Sequence, residues 1–424
     1  MKKILIISTH FPPSNLAGVH RSRLFAQHLP THEWEPVILT VDEKYYEEEL
    51  DHNLVKLLPG NLRIEKVKAW KVTKPRLIGD IGLRAFFQLY SKAKQIIKNE
   101  NIDFLYITIP SFYIALLGRW LNATTGIKYG IDYIDPWVHD FPGSHKLFSR
   151  HWWSKILSRF LEPIAVKKAS LITGVAEGYY TDVLKRNPLL QKKQSGAMPF
   201  GGEKEDHEIL KTLQLEPYLF RKDSNKIKLV YAGAMLPKSF RPLEKILESI
   251  GANPSVFRDT EFHFIGTGKM NDANGFNIKT LAEKYGLWNK VIFEYPKRIP
   301  YLDVLIHLRN ADGIFILGST EPHYTPSKIF QGILSGKPIL AVMHKLSTAA
   351  AVIDESESGI VLRFEENNLE MITERFPSGF GDFLEFAKNY DDKAINKAAF
   401  ENYSAKNITK KLAYLLEASS GNEY

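Results

Sequence analysis

The chain has 424 residues, with 56 Lys and Arg against 48 Asp and Glu, and an isoelectric point near 9.1. At about 150 residues per domain this length suits two or three domains, and 44% apolar with 25% charged side chains excludes a disordered chain. There is no cysteine, which excludes a disulfide scaffold, a thiolate zinc site and a cysteine nucleophile, and suits a reducing compartment.

The N-terminus, MKKILIISTHFPP, has an apolar run too short for a secretory signal and reads as a first buried strand. An intracellular, cytoplasmic protein is therefore expected. No uncharged apolar run reaches the roughly 18 residues of a membrane-spanning helix. Further strands are predicted at 36–41, 104–109, 128–132 and 170–174, with amphipathic helices such as 83–97 and 152–167 between them. Alternating strands and helices indicate parallel sheets joined by right-handed crossovers. The pattern pauses between 199 and 225 and restarts with KIKLVYAG, TEFHFIG, KVIFEY, DGIFIL, KPILAV and SGIVLRF. An α/β fold of two doubly wound, Rossmann-like domains follows. Residues 1–200 form the first domain, 201–225 a linker and 226–390 the second. The final stretch, 391–424, is expected to be a helical segment packing back on the first domain. A cleft between the strand carboxyl ends of two such domains is where ligands are expected.

Three segments bear on chemistry. STHFPPSNLAGVHRSRL joins the first strand to a helix, where backbone N–H groups and Gly18 suit a phosphate and Arg21 and Arg23 add charge. A plain strand–helix turn explains it equally well. It lacks the GxGxxG fingerprint of nicotinamide sites. FIGTGKM (264–270) has His263 where a P-loop needs its first glycine and Met270 where it needs Ser or Thr, so it reads as a glycine turn with Gly266 and Gly268. In LGSTEPHYTPSKIFQGILSGKPILAVMH (317–344), a strand leads into a dense polar loop and a helix from about 327. Ser327 can cap this helix, and Thr325 and Lys328 face any anion placed there.

The order of these segments resembles the GT-B glycosyltransferases, specifically the retaining nucleotide-sugar enzymes of glycosyltransferase family 4. FPPSNLAGVHRSRLFAQHL resembles their N-terminal glycine loop, and IDYIDPW (131–137) their D-x-x-D-P-W stretch. YAGAMLPK, FIGTGK and PSKIFQGILSGKPILA resemble three donor-domain segments. The family's donor site usually carries two glutamates separated by seven residues. Here Gln331 stands at the second position and His323, eight residues earlier, stands for the first. An amide and an imidazole can both still bond sugar hydroxyls. Ala234 follows Gly233 where the family has Arg, so Lys238 or Arg241 is expected to supply that charge.

The resemblance implies transfer from a nucleotide diphosphate sugar, expected to be UDP-linked, to a glycan or lipid-linked acceptor in cell-surface polysaccharide synthesis. It also implies retention, no metal, no separate cofactor and no protein nucleophile. Lys328 with Lys238 or Arg241 would meet the developing diphosphate charge, and His139, with Asp135, would lie beside the reacting sugar. The implied donor contacts are Gly18, Gly233, Lys238, Arg241, Gly266, Gly268, His323, Thr325, Ser327, Lys328 and Gln331. Asp132 and Asp135 also admit a paired-carboxylate hydrolase. A degenerate sugar-nucleotide-binding partner subunit and a nucleotide-sugar epimerase are the alternatives.

The formal charge of +8 is unevenly spread: residues 1–200 hold 28 basic and 18 acidic side chains, the rest 28 and 30. Segment 66–98 has nine Lys and Arg with one acid, and 146–168 has six with one, both rich in aromatics. On a helix, Trp152, Ile156, Phe160 and Ile164 share one face, with Lys155 and Arg159 on its flank. This reads either as a core-packing helix with a solvated edge or as a helix on an anionic membrane surface, giving the protein a peripheral place at the inner membrane face. No nucleic-acid motif is present.

Overall fold

A computed structural model describes all residues except 74, 75, 77, 110, 139–145, 191, 192, 222–224, 269–274, 323, 325, 394 and 422–424. The chain folds into two units: residues 1–200 with 405–424, and residues 201–404. Each contains one all-parallel sheet flanked by helices.

In the first unit the strands are β1 (Lys2–Ile7), β2 (Trp34–Val41), β3 (Arg63–Val67), β4 (Phe104–Ile109), β5 (Tyr129–Tyr133), β6 (Leu171–Gly174) and β7 (Gln194–Ala197). Their order is β3-β2-β1-β4-β5-β6-β7, so the winding reverses between β1 and β4. β1 and β4 are almost wholly apolar because helices cover both sheet faces. The sequence does not foretell β3 and β7. Both are edge strands: β3 reads RIEKV and buries only Val67, and β7 is QSGA, too short and small for an apolar signature.

One face of this sheet carries the Phe86–Asn99, Ala115–Thr125 and Arg150–Val166 helices. The other is covered by the Ala17–His28 helix and the C-terminal Ala405–Ser420 helix, whose Ile408, Leu412, Leu415 and Leu416 pack among Ile4, Ile6, Phe25, Trp34 and Tyr106.

The second unit contains β8 (Ile227–Ala232), β9 (Thr260–Ile265), β10 (Ile292–Tyr295), β11 (Gly313–Leu317), β12 (Ile339–His344) and β13 (Gly359–Phe364), in the order β10-β9-β8-β11-β12-β13. The reversal falls between β8 and β11. Its core stacks Phe257 on Phe376, with Phe262, Phe380 and Phe383 around them.

Two boundaries differ from expectation. Residues 201–221 are folded onto the second unit: the Tyr301 hydroxyl donates to Asp206 (2.8 Å), Arg309 donates to the His207 carbonyl (3.0 Å), and both Asp206 and His207 are buried. Both contacts are made to the Tyr301–Arg309 helix, which lies about a hundred residues along the sequence, so no local period signals this burial. Residues 391–404 likewise belong to the second unit, where Gly202 donates to the Tyr403 carbonyl (2.9 Å); only the Ala405–Ser420 helix returns to the first.

Candidate functional site

The second unit brings together the carboxyl ends of β9, β8 and β11, the place where a doubly wound sheet opens a crevice. β8 is followed by Gly233, whose φ of +134° is accessible to glycine and strained for other residues. Its N–H closes the ladder onto the Ile265 carbonyl at 2.8 Å. A Cβ at this position would sit 3.1 Å from Lys328 Nζ and 3.3 Å from its Cε. The missing side chain is therefore the space that the lysine occupies.

Lys328 opens the Lys328–Leu334 helix after β11. Its ammonium lies 3.5 Å from the centre of the Tyr231 ring, and no hydrogen-bond partner for it exists among the described residues. Tyr231 is itself buried, and its hydroxyl donates to the Ala234 carbonyl (3.0 Å). Burial of the ammonium lowers the Lys328 pKa to about 7. The aromatic face supplies partial compensation, since its quadrupole favours a cation. A buried cation with no counter-charge is costly unless an anion completes it.

Neighbouring loops are fixed in place. After β9, Gly266 adopts φ +72° and donates to Tyr295 (2.8 Å), while Gly268 donates to Pro296 (3.0 Å). The buried Glu294 carboxylate accepts from Thr267 and from the backbone N–H groups of Asn277, Ile278 and Lys279, pinning the chain on both sides of the 269–274 stretch. After β11, Thr320 donates its N–H to the Lys238 carbonyl (3.2 Å) and Ser347 donates its hydroxyl to Tyr324 (3.0 Å).

The expected site residues sort as follows. Gly233, Gly266, Gly268, Ser327, Lys328 and Gln331 all lie at this edge of the sheet or in the helix that follows it. Lys238 joins them, its exposed ammonium 3.0 Å from Glu321. Arg241 pairs instead with Glu366 beyond β13, at 3.6 Å. Ser327 occupies the N-cap position but its hydroxyl makes no capping bond, contrary to expectation: its φ of −58° and ψ of −23° are already helical, and a capping side chain needs an extended backbone. The Gln331 amide oxygen is engaged by His207 Nε2 (2.8 Å), a partner 124 residues away that no local motif signals. Burial lowers the His207 pKa, against the bond to Gln331. His323, Thr325 and His139 lie outside the described residues.

In the first unit, Gly18 is buried in the first turn of the Ala17–His28 helix, and Asp135 is exposed in the bend after β5. Arg21 is not available to a phosphate. It is fully buried and forks onto Asp132, with its Nη2 at 2.8 Å, and also donates to the carbonyls of Met198 (2.6 Å) and Pro199 (3.2 Å). Thr173 donates to the same carboxylate at 2.7 Å. Asp132 is thus a structural counter-ion, and the Asp132–Asp135 hydrolase pair fails because one member is sequestered.

The residue overlooked in sequence is His10, just past β1 at the first unit's own reversal. Its Nε2 lies 3.7 Å from Glu48, its ring packs on Tyr46 at 4.8 Å, and Thr9 lies 3.3 Å from Nδ1. Burial lowers its pKa, opposed by the Glu48 and Asp80 carboxylates. His10 and Glu48 come from separate loops, so spacing does not link them. Among the described residues, no group of three or more His, Asp or Glu side chains is arranged to hold a metal ion.

No protein-family model matches the chain, and no curated protein matches it. Solved structures do. A glycosyltransferase from Rickettsia africae aligns over 100% of this chain and 99% of its own at 16% identity, with a TM-score of 0.64. The Anabaena protein HepE, in complex with UDP and glucose, aligns over 99% and 100% at 15% identity and 0.61. Sucrose-phosphate synthase from Thermosynechococcus elongatus aligns over 99% of both chains at 12% identity and 0.60. At these identities the likeness establishes the fold, a pair of Rossmann-like units of the GT-B class.

Proposed function

We propose that the protein is a nucleotide-sugar-dependent glycosyltransferase whose second unit binds the donor diphosphate at Lys328. The observation that carries this reading is the Lys328 ammonium, buried, without a hydrogen-bond partner among the described residues, and roomed by Gly233 at the β8–β11 reversal. The structural neighbours include a glycosyltransferase and a protein holding UDP and glucose, which favours a uridine-linked donor. Lys238, in the adjoining loop, is the second cation in this reading.

In the proposed reaction the bond between the sugar's anomeric carbon and the diphosphate oxygen breaks as the acceptor oxygen bonds to that carbon. The acceptor proton passes to the departing phosphate oxygen, which gives retention without a protein nucleophile. Charge that develops on the diphosphate meets Lys328 in a site already organised to receive it, so little reorganisation is needed as the bond breaks. His139 and Asp135 are proposed to lie beside the reacting sugar, and the acceptor to be a glycan or lipid-linked sugar of the cell surface. With lysine charge meeting the diphosphate, turnover is expected to persist in EDTA.

Thermal unfolding with UDP and UDP-sugars tests the donor site. A ligand at about 100 times its dissociation constant adds about 2.7 kcal/mol. The expected result is a raised midpoint for the wild type and none for Lys328→Ala. His139→Ala is expected to keep the shift and lose turnover. Equal shifts for wild type and Lys328→Ala would remove Lys328 from the site, and no shift with any nucleotide would favour a partner subunit without donor binding. Donor consumed to free sugar and nucleotide with no acceptor present, as fast as with one, would favour an epimerase.

A further inference from the structure

The Arg150–Val166 helix turns only part of its apolar surface inward. Ala165, Val166, Ser158 and Glu162 are buried against the first unit. Trp153, Leu157, Phe160 and Ile164 form an outward stripe at helical spacing, with Ile156 beside it. Phe160 is 67% exposed and Trp153 55% exposed, and Phe148, 74% exposed, packs its ring on Trp152 and Trp153 just before the helix. Of the stripe expected from sequence, Ile156, Phe160 and Ile164 are exposed, and only Trp152, half-buried, departs from it.

Charge complements this surface. Arg159, Lys167 and Lys168 are exposed on the same segment. Its one acid, Glu162, is buried and neutralised by a forked bond from Arg186 at 2.9 and 3.0 Å. The outward face therefore presents apolar groups and cations with no anion among them. The neighbouring helices extend the pattern: Phe86–Asn99 and Ala115–Thr125 lie side by side with Arg150–Val166 on one sheet face. They expose Phe87 and Trp120, and Trp70 packs on Phe87 at 6.2 Å. Single exposed apolar residues are ordinary, but an aromatic series along three adjacent helices, rimmed by cations, is not.

We propose that this three-helix face of the first unit docks on an anionic lipid bilayer, with the Trp153–Ile164 stripe inserted at the headgroup boundary and Arg159, Lys167 and Lys168 at the phosphates. Long basic side chains reach headgroups while aromatic side chains fill the boundary. The proposal is independent of the donor site.

Co-sedimentation of the full chain with vesicles of phosphatidylcholine containing about 30% phosphatidylglycerol, and with phosphatidylcholine alone, tests it. The expected result is partitioning at least about tenfold stronger into the anionic vesicles, lost at high salt as screening shortens the reach of the charges. Converting Arg159, Lys167 and Lys168 to Gln is expected to lower it about a hundredfold, at about fivefold per cation. Trp153→Ser with Phe160→Ser is expected to abolish it with an unchanged unfolding midpoint, because both side chains are exposed. Equal binding to both vesicles, no binding, or variants that bind like the wild type would overturn the proposal. So would a homodimer, seen by light scattering, that the Trp153 and Phe160 changes dissolve.

Discussion

Lys328 is caught between two demands. Its ammonium is useful to an anion because it is dry, and it destabilises the free protein for the same reason. A lysine whose pKa falls from 10.5 to about 7 binds its proton less well folded than unfolded. Below pH 7 it is charged in both states, and the folded state carries a penalty on the order of 5 kcal/mol. As pH rises from 7 towards 10.5 the unfolded chain still holds the proton while the folded one has released it, so the penalty fades. Lys328→Met keeps the volume and removes the charge. It is expected to raise the unfolding midpoint most below pH 7 and little near pH 10, while losing nucleotide binding. A variant less stable than wild type at pH 6 would contradict this. The Arg21–Asp132 pair behaves in the opposite way. Asp132→Ala leaves a guanidinium buried with only carbonyl partners and is expected to cost about 3–5 kcal/mol in urea unfolding; a loss under about 1 kcal/mol would show the pair to be dispensable. The motif around Lys328 was legible in the sequence because strand, polar loop and helix are contiguous there. The Asp132 partnership was not, because it joins β5 to the helix after β1 across more than a hundred residues.

Among the elements, those with a clear period were readable and those stabilised by distant contacts were not. β1, β4 and β11 are apolar runs buried on both faces, whereas β3 and β7 belong to the sheet through backbone ladders on one side. The Arg150–Val166 helix was recognised as amphipathic, yet its apolar surface exceeds what the core takes in, a fact that depends on which neighbours it meets. The Ala405–Ser420 helix completes the first unit's core although the chain has passed through all of the second unit before reaching it. Leu412 is fully buried there. Leu412→Ala is expected to cost about 2–5 kcal/mol, read in denaturant unfolding of the first unit with the nucleotide-induced shift of the second retained. A negligible cost would mean that the helix is an ornament on a core that closes without it.

Over the whole molecule, the uneven charge takes on a structural meaning. Part of the basic excess of residues 1–200 lies on the Phe86–Asn99 and Arg150–Val166 helices of one sheet face, while the second unit is nearly balanced and, in the proposed reading, meets its donor through one dry lysine and the loop beside it. Two doubly wound sheets, each with its winding reversed once, were evident from the alternation of strands and helices. The true limits of the units were not, because 201–221 and 391–404 are held by side chains such as His207 and Asp206 and by backbone bonds such as that from Gly202 to Tyr403.

The measurement that bears most directly on the donor site is calorimetric titration with UDP-glucose, whose phosphates stay ionised, at about pH 8.5 in two buffers of different ionisation enthalpy. An anion that completes Lys328 must raise its pKa, so the wild type is expected to take up close to one proton per ligand bound, and affinity to weaken up to about tenfold per pH unit above pH 7. In Lys328→Met the uptake should vanish with the binding. Tight binding by the wild type with no proton uptake, or equal uptake by the variant, would contradict the assignment of Lys328 as the receptor for the diphosphate.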